Sequence, residues 1–344
     1  MSERVWADQA VLVTGGAGAV GGRLCHRLAE AGARVIVVDN LCAGVRWNLP
    51  ASIHQFVEGD ILDEPVLERA FAFRPRLVFH LASFFANENS VEHPERDLAV
   101  NGFGTLRLLA WAERRTVERV VYASSSCVYG AQASIAMSEP SASFHPQTPY
   151  QATKLLGELY ANYFHGRGGL QVVSLRLFNA FGPGELPGPY RNVIPRFAHA
   201  ALANEPIRLH GGGEDTRDFT YVDDIVEGML ESAIRAEAAG ETINLGSGRE
   251  VKILDLATLI VALTGSRSPL VVEDRRPWDR VARRRADLTK ARRLLGYEPR
   301  WSLEAGLQET LRWFVVNQRR IARAVSAQRA DSSKLLVPGA ETPP

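Results

Sequence analysis

Tyr150 and Lys154 stand four residues apart, a spacing that places both side chains on one face of a helix. A phenol alone is a poor base, because its ordinary pKa is about 10. A lysine ammonium held beside it favours the phenolate and lowers that value. Such a pair can take a proton from an alcohol while a neighbouring cofactor takes the hydride. A Tyr-x-x-x-Lys pair occurs in many helices, so the chemistry needs three further things: a cofactor cradle, a hydroxyl partner and a substrate grip.

The cradle comes first in the chain. Ala10 to Thr14 is a short apolar run that ends in Gly15-Gly16-Ala17-Gly18-Ala19-Val20-Gly21. Val20, Leu24, Leu28 and Ala31 then recur at helical spacing. A strand thus runs into a glycine turn that opens a helix. Glycines admit a pyrophosphate close to the backbone, and a helix N-terminus offers free N–H groups and a positive dipole end. The spacing is GxxGxxG (Gly15, Gly18, Gly21). A second apolar run, Arg34 to Val38, ends at Asp39, about 20 residues past the glycines, where a carboxylate binds ribose hydroxyls and repels a 2′-phosphate. This reads as NAD rather than NADP.

Strands and helices go on alternating: a strand at 54–57, a helix at 65–73, a strand at 77–81, a long helix at 94–115, a strand at 117–122. Near-continuous apolar strands separated by helices predict a parallel sheet covered on both faces, with ligands at the carboxyl ends of the strands. His80, Ser83, Ser124, Ser125, Ser126 and Tyr150 all fall at or after such ends. The fold class is α/β: a doubly wound parallel sheet (Rossmann) with a smaller α/β substrate-binding domain. The expected division is a cofactor domain at 1–180, to which 216–248 returns, and a mainly substrate-binding domain at 181–321. The last 23 residues, 322–344, are polar and small, and are expected to be disordered.

Composition narrows the classes. A formal net charge of +1 gives no basic footprint for nucleic acid. The three cysteines, Cys25, Cys42 and Cys127, lack CxxC spacing, so neither a disulfide framework nor a metal site is expected. No apolar run approaches the ~20 residues that span a bilayer. A cytoplasmic enzyme with reduced thiols follows.

Taken together, Thr14-Gly15-Gly16-Ala17-Gly18, Val38-Asp39-Asn40, Gly59-Asp60-Ile61, His80-Leu81-Ala82, Ser124-Ser125-Ser126-Cys127-Val128-Tyr129-Gly130 and Tyr150-x-x-x-Lys154 resemble the extended short-chain dehydrogenase/reductases. The chain is most similar there to the NAD-dependent nucleotide-sugar epimerases and dehydratases, of the UDP-glucose/UDP-galactose 4-epimerase type, over roughly residues 10–316. The resemblance implies that Gly15, Gly18, Ala19, Val20 and Gly21 surround the pyrophosphate and that Asp39 and Asn40 hold the adenosine ribose. Asp60 and Ile61 would flank the adenine. Leu81, Ala82, Ser83 and Asn101 would complete the cofactor side, and Lys154 would also hold the nicotinamide ribose. Ser125 would bond the substrate hydroxyl beside Tyr150. One departure is Ala19-Val20, where relatives usually carry a larger apolar pair.

The later chain resembles the same family's substrate grip. Arg176-Leu177-Phe178-Asn179-Ala180-Phe181-Gly182-Pro183 is similar to its Arg-x-Phe-Asn-x-Tyr-Gly-Pro motif. Asn179 would reach the substrate's diphosphate or sugar, Asn192 its nucleotide, and the strand ending at His210 its base. Arg217 and Arg276 would clamp the diphosphate, and Asp279 a ribose. Ser126 would line the sugar. The Pro/Gly-rich stretch 183–189 reads equally as a mobile substrate loop or a connector. Arg283-Arg284-Arg285, one residue out of the family's register, faces either an acidic sugar or solvent.

Dehydratases of this family place Asp-Glu directly after the Ser/Thr, and decarboxylases a Glu two positions after it. Ser126 and Cys127 stand there instead. The expected function is therefore a UDP-sugar 4-epimerase working through a transient 4-keto sugar, as a homodimer. The alternatives are a 4,6-dehydratase, decarboxylase or oxidoreductase on the same scaffold, or a non-catalytic NAD-binding regulator.

Overall fold

The computed structural model describes residues 5–131, 136–188 and 190–330. Seven strands build its central sheet: β1 (Ala10–Thr14), β2 (Arg34–Asp39), β3 (Gln55–Glu58), β4 (Leu77–His80), β5 (Arg119–Ser125), β6 (Gln171–Leu177) and β7 (Thr242–Leu245). Their order is β7-β6-β5-β4-β1-β2-β3, and every pairing is parallel. This is the doubly wound sheet expected from the alternating apolar runs.

The strands are apolar at nearly every position because both faces are covered. Val11, Val13, Val35 and Val37 join one core cluster, with Leu24 and Leu28 of the helix Ala19–Glu30 and Ile225 and Met229 of the helix Val222–Ile234. Leu12, Ile36 and Val38 join the other, with Leu67, Phe71, Leu108, Leu109 and Phe164 from the opposite layer. Odd and even residues of one strand thus feed different cores, as the period of two requires. Strand order reverses between β1 and β4. Loops after these two strands diverge and open a crevice at their carboxyl ends.

The smaller part is built from later segments. Ile207–His210 pairs in parallel with Leu270–Glu273, and Thr216–Arg217 pairs antiparallel with Val251–Lys252. The helices Val193–Ala203 and Ile253–Thr264 pack there.

Two expectations change. The long helix at 94–115 is not regular: Pro94–Asp97 and Thr105–Arg114 are α-helical, but Leu98–Gly104 is a π-helix. The wider turn carries Asn101 inward, where it is held by the loop after β4, and π turns of this kind recur at functional sites. The tail is also shorter than expected. Helix Leu303–Ala330 runs through residues 322–330, because Ile321, Ala324 and Val325 fall at i, i+3 and i+4 and pack on the core. Residues 331–344 lie outside the described part. Among the described residues no helix is long and apolar enough to cross a membrane.

Candidate active site

A cavity of ≈ 520 Å³ opens over the carboxyl ends of β1, β2, β4 and β5. At its floor, Gly15 has φ +70°, and a Cβ there would lie 2.6 Å from the Ala82 nitrogen. At Gly21 a Cβ would lie 2.3 Å from the Gly15 carbonyl oxygen. Both must therefore be glycine for the loop to close on itself. Gly18 is different. Its φ is ordinary, and a Cβ would meet protein only at 3.4 Å. The protein's own backbone therefore does not demand glycine there, and the space over the loop at this point stays open. No side chain caps the helix Ala19–Glu30, so its first-turn N–H groups remain available to an anion.

Asp39 ends β2 beside this loop. Its carboxylate accepts from the Ala17 and Leu41 N–H groups (2.9 and 2.8 Å). Burial raises its pKa, against those bonds. Asn40 donates to Asp60 (3.1 Å), which also pairs with Arg96 (2.6 Å). Ile61, Leu81, Ala82 and Ser83 line the same cavity. A glycine floor, unspent N–H groups and a carboxylate at the strand end fit a dinucleotide without a 2′-phosphate.

Tyr150 and Lys154 come from the helix Pro149–Gly166, whose entry is capped by Thr148 accepting from the Gln151 N–H (3.3 Å). Both side chains are buried and line the cavity. Ser83 and Ser125 line the cavity beside Tyr150, and their hydroxyls favour its phenolate. Lys154 Nζ donates to the Ala123 carbonyl (2.9 Å) and lies 5.6 Å from the Tyr150 ring centre. The expected lowering of the phenol is not found. Burial, then the neighbouring Cys127, push Tyr150 up, and its two hydroxyl partners oppose this only in part. Burial also pulls Lys154 down to about 8. Desolvation outweighs the pairing here, since both groups would have to be charged in the same dry pocket.

Asn101 does not line the cavity. Its Oδ1 accepts from Ser83 Oγ (3.0 Å) and the Phe84 N–H (2.8 Å), and its Nδ2 donates to the Phe84 carbonyl (3.0 Å) and to Asp97 (2.7 Å). Asp97 also accepts from Thr153 (2.7 Å), and burial pushes it up to about 6. Asn101 thereby ties the Ser83 loop to the helix of Tyr150. His80 is held between Thr14 (2.7 Å) and Thr105 (3.0 Å), and burial drives it down to about 3, so it is a neutral spacer under the floor.

Ser126, Asn179 and Asn192 line the cavity. The Asn179 Oδ1 is buried with no partner among the described residues, and Asn192 donates to Glu185 (3.1 Å). His210, Arg217, Arg276 and Asp279 stand away from the lining. Arg217 pairs with Asp279 (3.3 Å), Arg276 with Glu88 (3.4 Å), and His210 approaches Glu273 (3.5 Å). Both expected clamp arginines are thus already neutralised by carboxylates. Sequence reasoning missed several lining residues, Glu185 and Arg191 among them, and left the facing of Arg284 open. Glu185, whose pKa is raised by burial, sits in the Pro/Gly-rich stretch where nothing marks it. Arg191 donates to the Ala43 carbonyl (3.0 Å). Arg284 is the middle of the arginine run, which only the structure orients. Cys127 lines the cavity too. Burial pushes its thiol up to about 11, which removes it as an acid or nucleophile near neutrality. Among the described residues no three His, Cys, Asp or Glu side chains gather as a metal site.

The model of the NAD dependent epimerase/dehydratase family matches residues 11–246. A UDP-glucose 4-epimerase of Mycolicibacterium smegmatis is 33% identical over 88% of this chain and 97% of its own. A UDP-N-acetyl-alpha-D-glucosaminuronate decarboxylase of Bacillus cytotoxicus is also 33% identical, over the same shares of the two chains. Among solved structures, an epimerase of Methanothermobacter thermautotrophicus superposes with a TM-score of 0.91 at 50% identity, covering 93% of this chain and 96% of that one. The chain belongs to the NAD-dependent epimerase/dehydratase family, whose enzymes act on nucleotide sugars.

Proposed function

We propose that the protein is a nucleotide-sugar 4-epimerase acting on a UDP-sugar. One observation carries this reading: the head of the cavity holds a phenol, serine hydroxyls and an amine, but among the described residues no carboxylic acid beside Ser125. Epimerisation at C4 needs only a proton taken and returned and a hydride taken and returned. Expelling a C6 hydroxyl as water needs an acid, and Ser126 and Cys127 cannot supply one. Glu185, a further carboxyl on the cavity wall, is engaged by Asn192.

Gly15, Gly18 and Gly21 cradle the pyrophosphate of NAD, and Asp39 takes the ribose hydroxyls. Bound NAD supplies the hydride acceptor and a cationic ring. Tyr150 takes the C4 hydroxyl proton, with Ser125 bridging to the substrate, and Lys154 orients the ribose and adds positive charge. Asn101 holds Ser83 in place on the cavity wall beside Tyr150. On the substrate side, Arg217 and Arg276 exchange their carboxylate partners for the diphosphate, and Asn179 offers its free acceptor to the bound nucleotide sugar. Residues 181–321 carry most of this grip.

Incubation with a UDP-hexose or UDP-hexuronate in deuterated water tests the reaction class. An epimerase returns the hydride it took, so the product carries no solvent deuterium on carbon and no mass is lost. Deuterium at C5 with loss of one water would mean dehydration. Loss of carbon dioxide, the reaction named for the Bacillus relative, would mean decarboxylation.

The protein is further proposed to be a homodimer. Leu98 and Phe103 on the π segment, and Leu159 and Tyr163 on the helix Pro149–Gly166, are each about half exposed. These two segments pack against each other, so their apolar side chains form one outward face suited to an isologous four-helix contact with a second copy. Light scattering at micromolar concentration should give twice the 37.8 kDa chain mass; a monomer there sinks the idea.

A further inference from the structure

The three consecutive arginines have three different fates. Arg283 is exposed and pairs with Glu250 (2.5 Å). Arg285 opens a two-residue strand, Arg285–Ala286, beside Ala136–Met137. Arg284 is buried and lines the active-site cavity. Its Nε is fully covered with no hydrogen-bond partner, and no ion pair reaches it among the described residues. The carboxylate that acts on it, Asp279, is already committed to Arg217. Burial and the Arg217 charge pull Arg284 down to about 10. A buried guanidinium without an anion is a costly arrangement. The cost falls when a ligand brings the anion with it.

The position of Arg284 says which anion. Arg284 lines the cavity together with Ser125, Ser126, Cys127 and Tyr150, whereas Arg217 and Arg276, the expected diphosphate clamps, are not part of that lining. Arg284 thus shares a cavity wall with the proton-transfer group. In a pyranose, C4 lies across the ring from C1, the carbon that carries the diphosphate. C5 is bonded to C4 and carries C6. A side chain beside the C4 chemistry meets the C6 end of the sugar and not the diphosphate. We propose that Arg284 receives a carboxylate at C6, so that the substrate is a nucleoside-diphosphate hexuronate. The planar guanidinium fork matches a carboxylate with two parallel bonds, which a lysine cannot do. This rests on the placement of C4 at Tyr150 in the epimerase reading.

Binding separates the two. Calorimetry on the NAD-loaded protein would compare UDP, UDP-glucose and UDP-glucuronate, or the same three with whichever nucleoside diphosphate it binds instead. The wild type should bind the glucuronate roughly 10- to 100-fold more tightly than the glucoside, the usual range for a hydrogen bond to a charged group. Arg284→Gln should erase that preference while leaving UDP affinity within about threefold. Arg284→Lys should restore part of it. Equal wild-type affinity for the two sugars overturns the proposal, and needs no variant to fold. A matching loss of UDP affinity in Arg284→Gln also overturns it, because the arginine would then belong to the diphosphate. Failure of the epimerase reading appears separately, as absence of C4-inverted product from either sugar while the binding preference persists.

Discussion

Tyr150→Phe is expected to lose turnover by about 10²–10⁴-fold while keeping NAD bound, the range for a positioned acid–base group. The hydroxyl is the atom at stake. It shares the cavity wall with Ser83 and Ser125, and the ring behind it is fixed by an edge-on contact with Phe85 at 5.9 Å between centres. Phenylalanine keeps that contact and the helix, so cofactor loading should not change. Burial holds the phenol protonated in the structure, and Lys154, itself drawn down to about 8, is a weakened source of positive charge. Proton removal from Tyr150 therefore depends on positive charge added to a dry pocket. A side chain without a titrating oxygen cannot take part in that balance at all. The measurement is initial rate of 4-epimer formation with NAD content determined on the same sample. Retention of more than a tenth of wild-type activity, with normal NAD content, would remove Tyr150 from the acid–base role.

Much of the fold was legible because a parallel sheet covered on both faces reads as apolar runs, and β1, β2, β4 and β5 are such runs. The glycine floor was legible for a related reason: Gly15 and Gly21 touch backbone that no side chain could tolerate. What stayed hidden depends on tertiary contacts. The π turn at Leu98–Gly104 is recruited by Asn101 bonding a loop some 17 residues earlier. Arg284 is buried while Arg283 beside it is exposed, in the segment that leads into the strand Arg285–Ala286, and how that segment lies on the cavity is set by tertiary packing. The phenol's shift was misjudged because spacing reveals the neighbouring lysine and says nothing of how dry the pocket is. The helical stretch 322–330 was hidden by the polar residues around its few apolar contacts.

Glu158→Ala is expected to destabilise the fold by about 3–5 kcal/mol, the cost of stranding a buried charge. Glu158 lies two turns beyond Tyr150 on the same helix, and Arg176 lies on β6; both side chains are about 5% exposed or less. The guanidinium meets the carboxylate with two bonds, 2.9 Å from Nε and 2.7 Å from Nη2, and its Nη1 donates to the Glu139 carbonyl (2.7 Å). Ser124 adds a third donor to the carboxylate at 2.5 Å. The pair therefore ties the catalytic helix to two adjacent strands at the edge of the cavity. Alanine would leave Arg176 buried and charged, answered only by the Glu139 carbonyl and the face of the Tyr129 ring. Against a typical total of roughly 5–15 kcal/mol, such a loss should bring the urea midpoint down steeply. Replacing both partners with apolar residues of similar size, Glu158→Leu with Arg176→Met, should recover most of the stability, since a well-packed apolar pair need not be worse than a buried ion pair. That recovery distinguishes a stranded charge from lost packing. A single Glu158→Ala variant within about 1 kcal/mol of wild type, or a double variant no better than the single, would mean that the ion pair does not hold the helix in place.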